Sequence, residues 1–252
     1  MPFGHIKILE GHPCLSLRKR WQCEALTKRA SAIKGDFLEL KQQTQGFSLK
    51  NKSALVIGCG GLGCNAAVHL AGAGIGRLIL CDCDTVSESN LNRQFLYTKE
   101  DISKSKVLCA KERLKLYAPD CEIITVNKRI TDISDLKFSA DCDIIFSCVD
   151  NNEARLISED FCRENNIPLV HGGIDGFYGV AYLYLPSHSP APSEAGLCEG
   201  SKAKYNISSV AGVIGSLQAS LGVRYLTTDD KTLSGRILIF DEDKTDTLNI
   251  KF

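Results

Sequence analysis

ALVIGCGGLGCNAAVHLAGAGIG, residues 54–76, runs from an unbroken apolar segment through a glycine-rich turn into a helix of small residues. Glycines at 58, 60 and 63 suit a tight turn, close approach of a phosphate to the backbone, and close packing of the helix on the strand. The N-terminus of such a helix supplies N–H groups and positive potential to an anion. A GxGxxG pattern alone is a weak sign, but here the strand and the helix stand on either side of it.

Working outward, short apolar runs recur with helical segments between them: ALVIG, RLILCD, EIITVN, DIIFSCVD and PLVHGG. Unalternating Val/Ile/Leu-rich runs fit parallel strands covered on both faces, and strands alternating with helices fit βαβ units. The expected fold is therefore α/β: a doubly wound, mostly parallel, Rossmann-like sheet with helices on both faces. After Pro168 the spacing tightens, and VAYLYLP, RILIFDED and DTLNIKF predict an antiparallel C-terminal extension. SSVAGVIGSLQASLGVRYL reads as a helix behind a serine cap. The segment at about 186–207, rich in proline and serine, has no periodicity and is too long for a mere connector. Residues 1–50 are lysine-rich, with loosely spaced apolar positions, and are expected to form an N-terminal helical arm ahead of the 51–252 domain.

Composition narrows the function classes. With 252 residues and 44% hydrophobic content the chain can bury a large core. Thirty Lys plus Arg balance thirty Asp plus Glu, so no overall field draws the protein to nucleic acid or an anionic membrane. The 12 cysteines include no CxxC pair, which removes the usual sign of a zinc site, and no apolar run has the length of a membrane span. A cytoplasmic location with reduced thiols is expected.

Asp82 ends the second strand, where an acid accepts hydrogen bonds from ribose hydroxyls. Up to this point an NAD-binding oxidoreductase fits as well. SNLNRQFLYTKEDISKSKVLCAKERL then adds Arg93 on the polar segment and Lys106 at the start of an amphipathic helix. A hydride-transfer enzyme has no need of two cations beyond the ribose acid, whereas a reaction at a triphosphate does. CVDN places Asp150 at the end of the fourth strand, either as the cap of the following helix or as a carboxylate for Mg²⁺.

GCGGLG, DCDTVSESNLNRQFL, the later Lys106, CVDN and GVIGSLQA together resemble the ThiF/MoeB/HesA family, relatives of the ubiquitin-activating enzymes, over about residues 50–242. The resemblance implies an adenylyltransferase that uses ATP and Mg²⁺ to adenylate the C-terminal glycine of a ubiquitin-like sulfur-carrier protein, working as a homodimer. Adenylation of another peptide C-terminus is the close alternative. On that pattern Gly58, Gly60, Gly61, Gly63, Asp82 and Asn90 hold the nucleotide, Arg93 and Lys106 meet the phosphates, and Asp150 serves the metal. Family members with a structural zinc hold it with two CxxC pairs; this chain has HSPAPSEAG where the first would stand, so no structural zinc is expected. An N-terminal arginine that reaches the partner's ATP is not recognisable, with Arg18, Arg20 and Arg29 as candidates. Cys198 lies near the place of a thiol that bonds covalently to the carrier, and Lys202 and Lys204 behind it would favour its thiolate.

Overall fold

In a computed structural model, residues 48–198, 205–241 and 244–249 are described. All but the last three residues of the expected arm lie outside them, as do Arg18, Arg20, Arg29, Lys202 and Lys204.

The strands β1 (Ser53–Ile57), β2 (Arg77–Cys81), β3 (Glu122–Val126), β4 (Ile144–Ser147) and β5 (Leu169–Asp175) form the parallel part of an 8-stranded sheet. β6 (Tyr178–Tyr184), β7 (Arg236–Asp241) and β8 (Lys244–Asn249) continue it antiparallel, in the order β3-β2-β1-β4-β5-β6-β7-β8. The order reverses between β1 and β4, and open α/β sheets take ligands in the crevice beyond the strand ends at such a point.

Alternation along the strands sends side chains into two cores. From β1, Ala54 and Val56 join the core under helices α1 (Gly61–Gly72), α2 (Lys106–Tyr117) and α4 (Ser208–Thr228). Leu55 and Ile57 turn to the opposite core, which receives Phe161 and Cys162 of α3 (Asn152–Asn165). A period of two in strands that read as continuously apolar is what coverage on both faces requires.

One helix terminus departs from the expectation, and another bears on the capping alternative for Asp150. Ser208 is the first helical residue of α4 rather than its cap; Ile207 stands in the cap position without a side-chain hydrogen bond. At α3 the cap is Asn151, whose side chain accepts from Ala154 N at 2.9 Å, so Asp150 is free of that duty. Among the described residues no helix is long and apolar enough to cross a membrane.

Candidate nucleotide-binding site

Gly58 opens the turn after β1 with φ +87°, and a Cβ there would stand 2.7 Å from the Cys148 carbonyl oxygen at the end of β4. Both conditions exclude larger residues. One turn later, a Cβ on Gly63 would collide with the Gly58 carbonyl oxygen, so the third glycine lets α1 rest directly on the loop. Gly60 is the N-cap of α1 and offers no side-chain bond, and the first turn carries no acidic residue. Its N–H groups therefore face the crevice without a charge or cap to satisfy them, and the helix dipole makes that end attractive to an anion.

The loop is braced from beneath. Asp82 Oδ2 accepts from Cys59 N at 2.6 Å and Oδ1 from Asp84 N at 2.8 Å. Tyr97 donates its hydroxyl to the Cys59 carbonyl at 2.8 Å. Burial pushes the Cys59 and Cys64 thiols up, Cys64 to about 12, so both pack as neutral side chains.

Arg93 lies beside this helix end: its Cγ is 3.6 Å from where a Cβ on Gly61 would stand. Its Nη1 donates to Ser89 O at 2.9 Å and Asn92 Oδ1 at 2.8 Å, and it joins no ion pair among the described residues. Asn90 closes its own short turn, its Oδ1 accepting from Ser87 N at 3.2 Å. Lys106 is buried at the start of α2, and its ammonium is 3.0 Å from Asp84 Oδ2. Against the upward push of burial, this ammonium holds the Asp84 carboxyl below its usual range. Asp84 is thus the charge partner of Lys106.

Asp150 is exposed at the end of β4, on the same edge as the glycine turn. Its freedom from capping fits a hard cation, which takes one or two carboxylates and completes its shell with water and phosphate oxygens. Among the described residues, the cluster with metal-ligand spacing is Asp82, Cys83 and Asp84, within 4.8 Å of one another. Asp82 and Asp84 already serve the loop and Lys106, which leaves that cluster little to offer an ion.

Cys198 is buried, in surroundings that raise its thiol pKa rather than favour a thiolate. It is 6% exposed, its Sγ is 4.0 Å from Glu159 Oε2, and burial, then the Glu159 charge, push its thiol up to about 11. Glu159, buried on α3, receives Ser193 N at 2.8 Å and Arg163 Nη2 at 2.7 Å and bonds the Ser193 hydroxyl, so the 186–198 segment is fastened to the helix. A thiol held against a carboxylate is a poor nucleophile in this arrangement.

Sequence reasoning passed over Gln94 and Tyr97. Gln94 is 3% exposed, and its Nε2 is 3.6 Å from where a Cβ on Gly60 would lie. Their position within SNLNRQFLY beside Arg93 was the available signal; only the fold shows that the segment turns back onto the glycine loop.

An open doubly wound sheet with an uncapped helix N-terminus at its switch point, a strand-end acid and two neighbouring cations is an arrangement that can receive a phosphate-bearing ligand. The chain belongs to the ThiF family, whose model matches residues 36–252. It is 32% identical over 216 residues to adenylyltransferase and sulfurtransferase MOCS3 of Anopheles gambiae, covering 81% of this chain and 48% of that protein. It is 33% identical over 199 residues to the sulfur carrier protein ThiS adenylyltransferase of Escherichia coli K12, covering 77% and 79%. The chain thus spans about half the length of the MOCS3 relatives it matches, at 48% of each of the three from mosquitoes. Among solved structures, E. coli MccB with MccA-N7isoASN has the same fold, with a TM-score of 0.71 at 24% identity over 80% of this chain and 65% of that one.

Proposed function

We propose that this chain is an ATP-dependent adenylyltransferase that activates the C-terminal glycine of a small ubiquitin-like sulfur-carrier protein. The observation that carries the reading is the uncapped N-terminus of α1 flanked by Arg93, a guanidinium without a carboxylate partner among the described residues. The named activities of the ThiS and MOCS3 relatives support it.

The chemistry follows from charge. The carrier's terminal carboxylate is ionised at neutral pH, so no base is required. One of its oxygens bonds to the α-phosphorus of ATP while the bond from that phosphorus to the β-bridging oxygen breaks, and pyrophosphate leaves with the electron pair. The protein's task is to orient the two anions and neutralise the leaving group. The free N–H groups of α1 and Arg93 face the phosphates, and Lys106 exchanges its Asp84 partner for them. Asp82 receives the ribose while keeping the loop N–H groups it already holds, with Asn90 beside it. Asp150 would hold Mg²⁺, which when bound would supply neutralising charge to the phosphates. The homodimer, the cytoplasmic location and the 51–252 adenylating domain belong to the same reading. Cys198 takes no part in adenylation; its use as a carrier-linked thiol would require the 186–198 segment to release it.

Titration with ATP·Mg and with NADH separates this reading from an oxidoreductase. ATP·Mg should bind, and Arg93→Ala should weaken it, while preference for NADH would sink the proposal.

A further inference from the structure

Gln218, in the GVIGSLQA segment of α4, is a polar side chain that the adenylation reading leaves unused. It is 0% exposed, yet it reaches the edge of the sheet that carries the glycine turn, where β4 ends and β5 runs on. Its Nε2 donates to Ser147 O at 3.1 Å and to Val170 O at 3.2 Å, one carbonyl from each strand. Its Oε1 accepts from Cys148 Sγ at 3.5 Å. Both main-chain partners are acceptors, so the amide is seated with its nitrogen towards them. A buried amide engaged at both of its polar atoms holds one position, because any movement leaves it and its partners unsatisfied.

Gly172 makes room for this seat. A Cβ in its place on β5 would stand 2.4 Å from Gln218 Cδ and 2.6 Å from Nε2. What the amide holds is the start of the short segment that ends in Asp150. Cys148 N donates to Ile57 O at 2.9 Å, the Cys148 carbonyl is the group against which Gly58 is pressed, and Val149 O receives Arg155 Nε at 3.3 Å. The glycine turn has braces of its own in Asp82 and Tyr97. A shift of the Gln218 amide therefore passes along 147–150 to Asp150 more than to the turn.

We propose that Gln218 is a positioning residue for Asp150: from a helix on one face of the sheet it fixes the end of β4 and, through Ser147 and Cys148, the placing of the Asp150 carboxylate. The inference rests on the adenylation reading, in which Asp150 serves Mg²⁺. That ion tolerates little departure from octahedral geometry, and groups that orient a ligating carboxylate contribute to metal affinity without touching the metal.

Gly172→Ala tests the proposal without changing Gln218. The added methyl falls on the free end of a side chain that can swing aside, so the chain should fold with the amide driven off its carbonyls. Titration calorimetry then measures ATP affinity with Mg²⁺ and in metal-free buffer with a chelator. The gain in affinity on adding Mg²⁺ should shrink about fivefold in Gly172→Ala and in Gln218→Met, while metal-free affinity stays within about twofold of wild type. In an Asp150→Asn background neither substitution should shrink the gain further, as expected of residues acting through one carboxylate. Leu221→Ala, a buried position one turn along α4, should lower the melting temperature and leave the gain unchanged. An undiminished gain in both test variants, an equal loss in Leu221→Ala, or a fall in metal-free affinity as large as that with Mg²⁺ would overturn the positioning role. Wild type that binds no ATP would refute the nucleotide reading itself, whereas wild type with a normal Mg²⁺ gain that both variants retain refutes only the part given to Gln218.

Discussion

Asp150 and Asn151 are neighbours with different work. The Asn151 side chain holds the Ala154 N–H, while the Asp150 carboxylate stands exposed at the strand end. Asn151→Ala should lower stability by about 1 kcal/mol, as loss of a helix cap does, and leave the Mg²⁺ requirement alone. Asp150→Asn should do the reverse, raising the Mg²⁺ concentration needed for pyrophosphate exchange several-fold without lowering the melting temperature. A fall in melting temperature with an unchanged Mg²⁺ dependence would return Asp150 to a structural role. The sequence offered both uses for Asp150 because Asp and Asn are equally good caps; one rotation of the helix start decides between them, and spacing does not record it.

At the scale of elements, the clasp between α3 and the 186–198 segment is the least legible feature. Glu159 reads in the sequence as one more polar residue of an amphipathic helix, yet it is buried and bonded to both the backbone and the hydroxyl of Ser193. Glu159→Gln should weaken these charge-assisted bonds and cost about 2 kcal/mol of stability. The loosened segment should be cut faster in limited proteolysis, and Cys198 should react faster with iodoacetamide at pH 8. Unchanged rates of both would mean that the clasp does not restrain the segment. The parallel strands and the glycine turn, in contrast, were legible because each is a local pattern. Burial on both faces leaves continuous apolar runs, and a phosphate-sized turn needs glycine where φ is +87°. Gln218, Gln94 and the burial of Cys198 were not legible, since each depends on contacts between segments distant in the chain.

At the scale of the whole molecule, burial of neutral His171 links the fold to pH. Its folded pKa is about 3, below the roughly 6.5 of an unfolded histidine. Below pH about 6.5 the unfolded chain binds a proton that the folded chain refuses, so stability is full above that pH and declines as pH falls toward the folded value. Between pH 8 and pH 5 the wild type should lose about 2 kcal/mol more than His171→Gln, measured by urea unfolding at each pH. Parallel pH profiles for the two proteins would show that His171 carries no such linkage.

Adenylation itself is tested most directly by ATP–pyrophosphate exchange. With Mg²⁺ and a ubiquitin-like acceptor ending in Gly-Gly, the wild type should exchange labelled pyrophosphate into ATP, and removal of the acceptor should stop it. Arg93→Ala and Lys106→Ala should each slow exchange about a hundredfold, equivalent to roughly 3 kcal/mol of transition-state stabilisation. Exchange that persists at the wild-type rate in both variants, or wild type that binds ATP·Mg and never exchanges with any Gly-terminated acceptor, would contradict it.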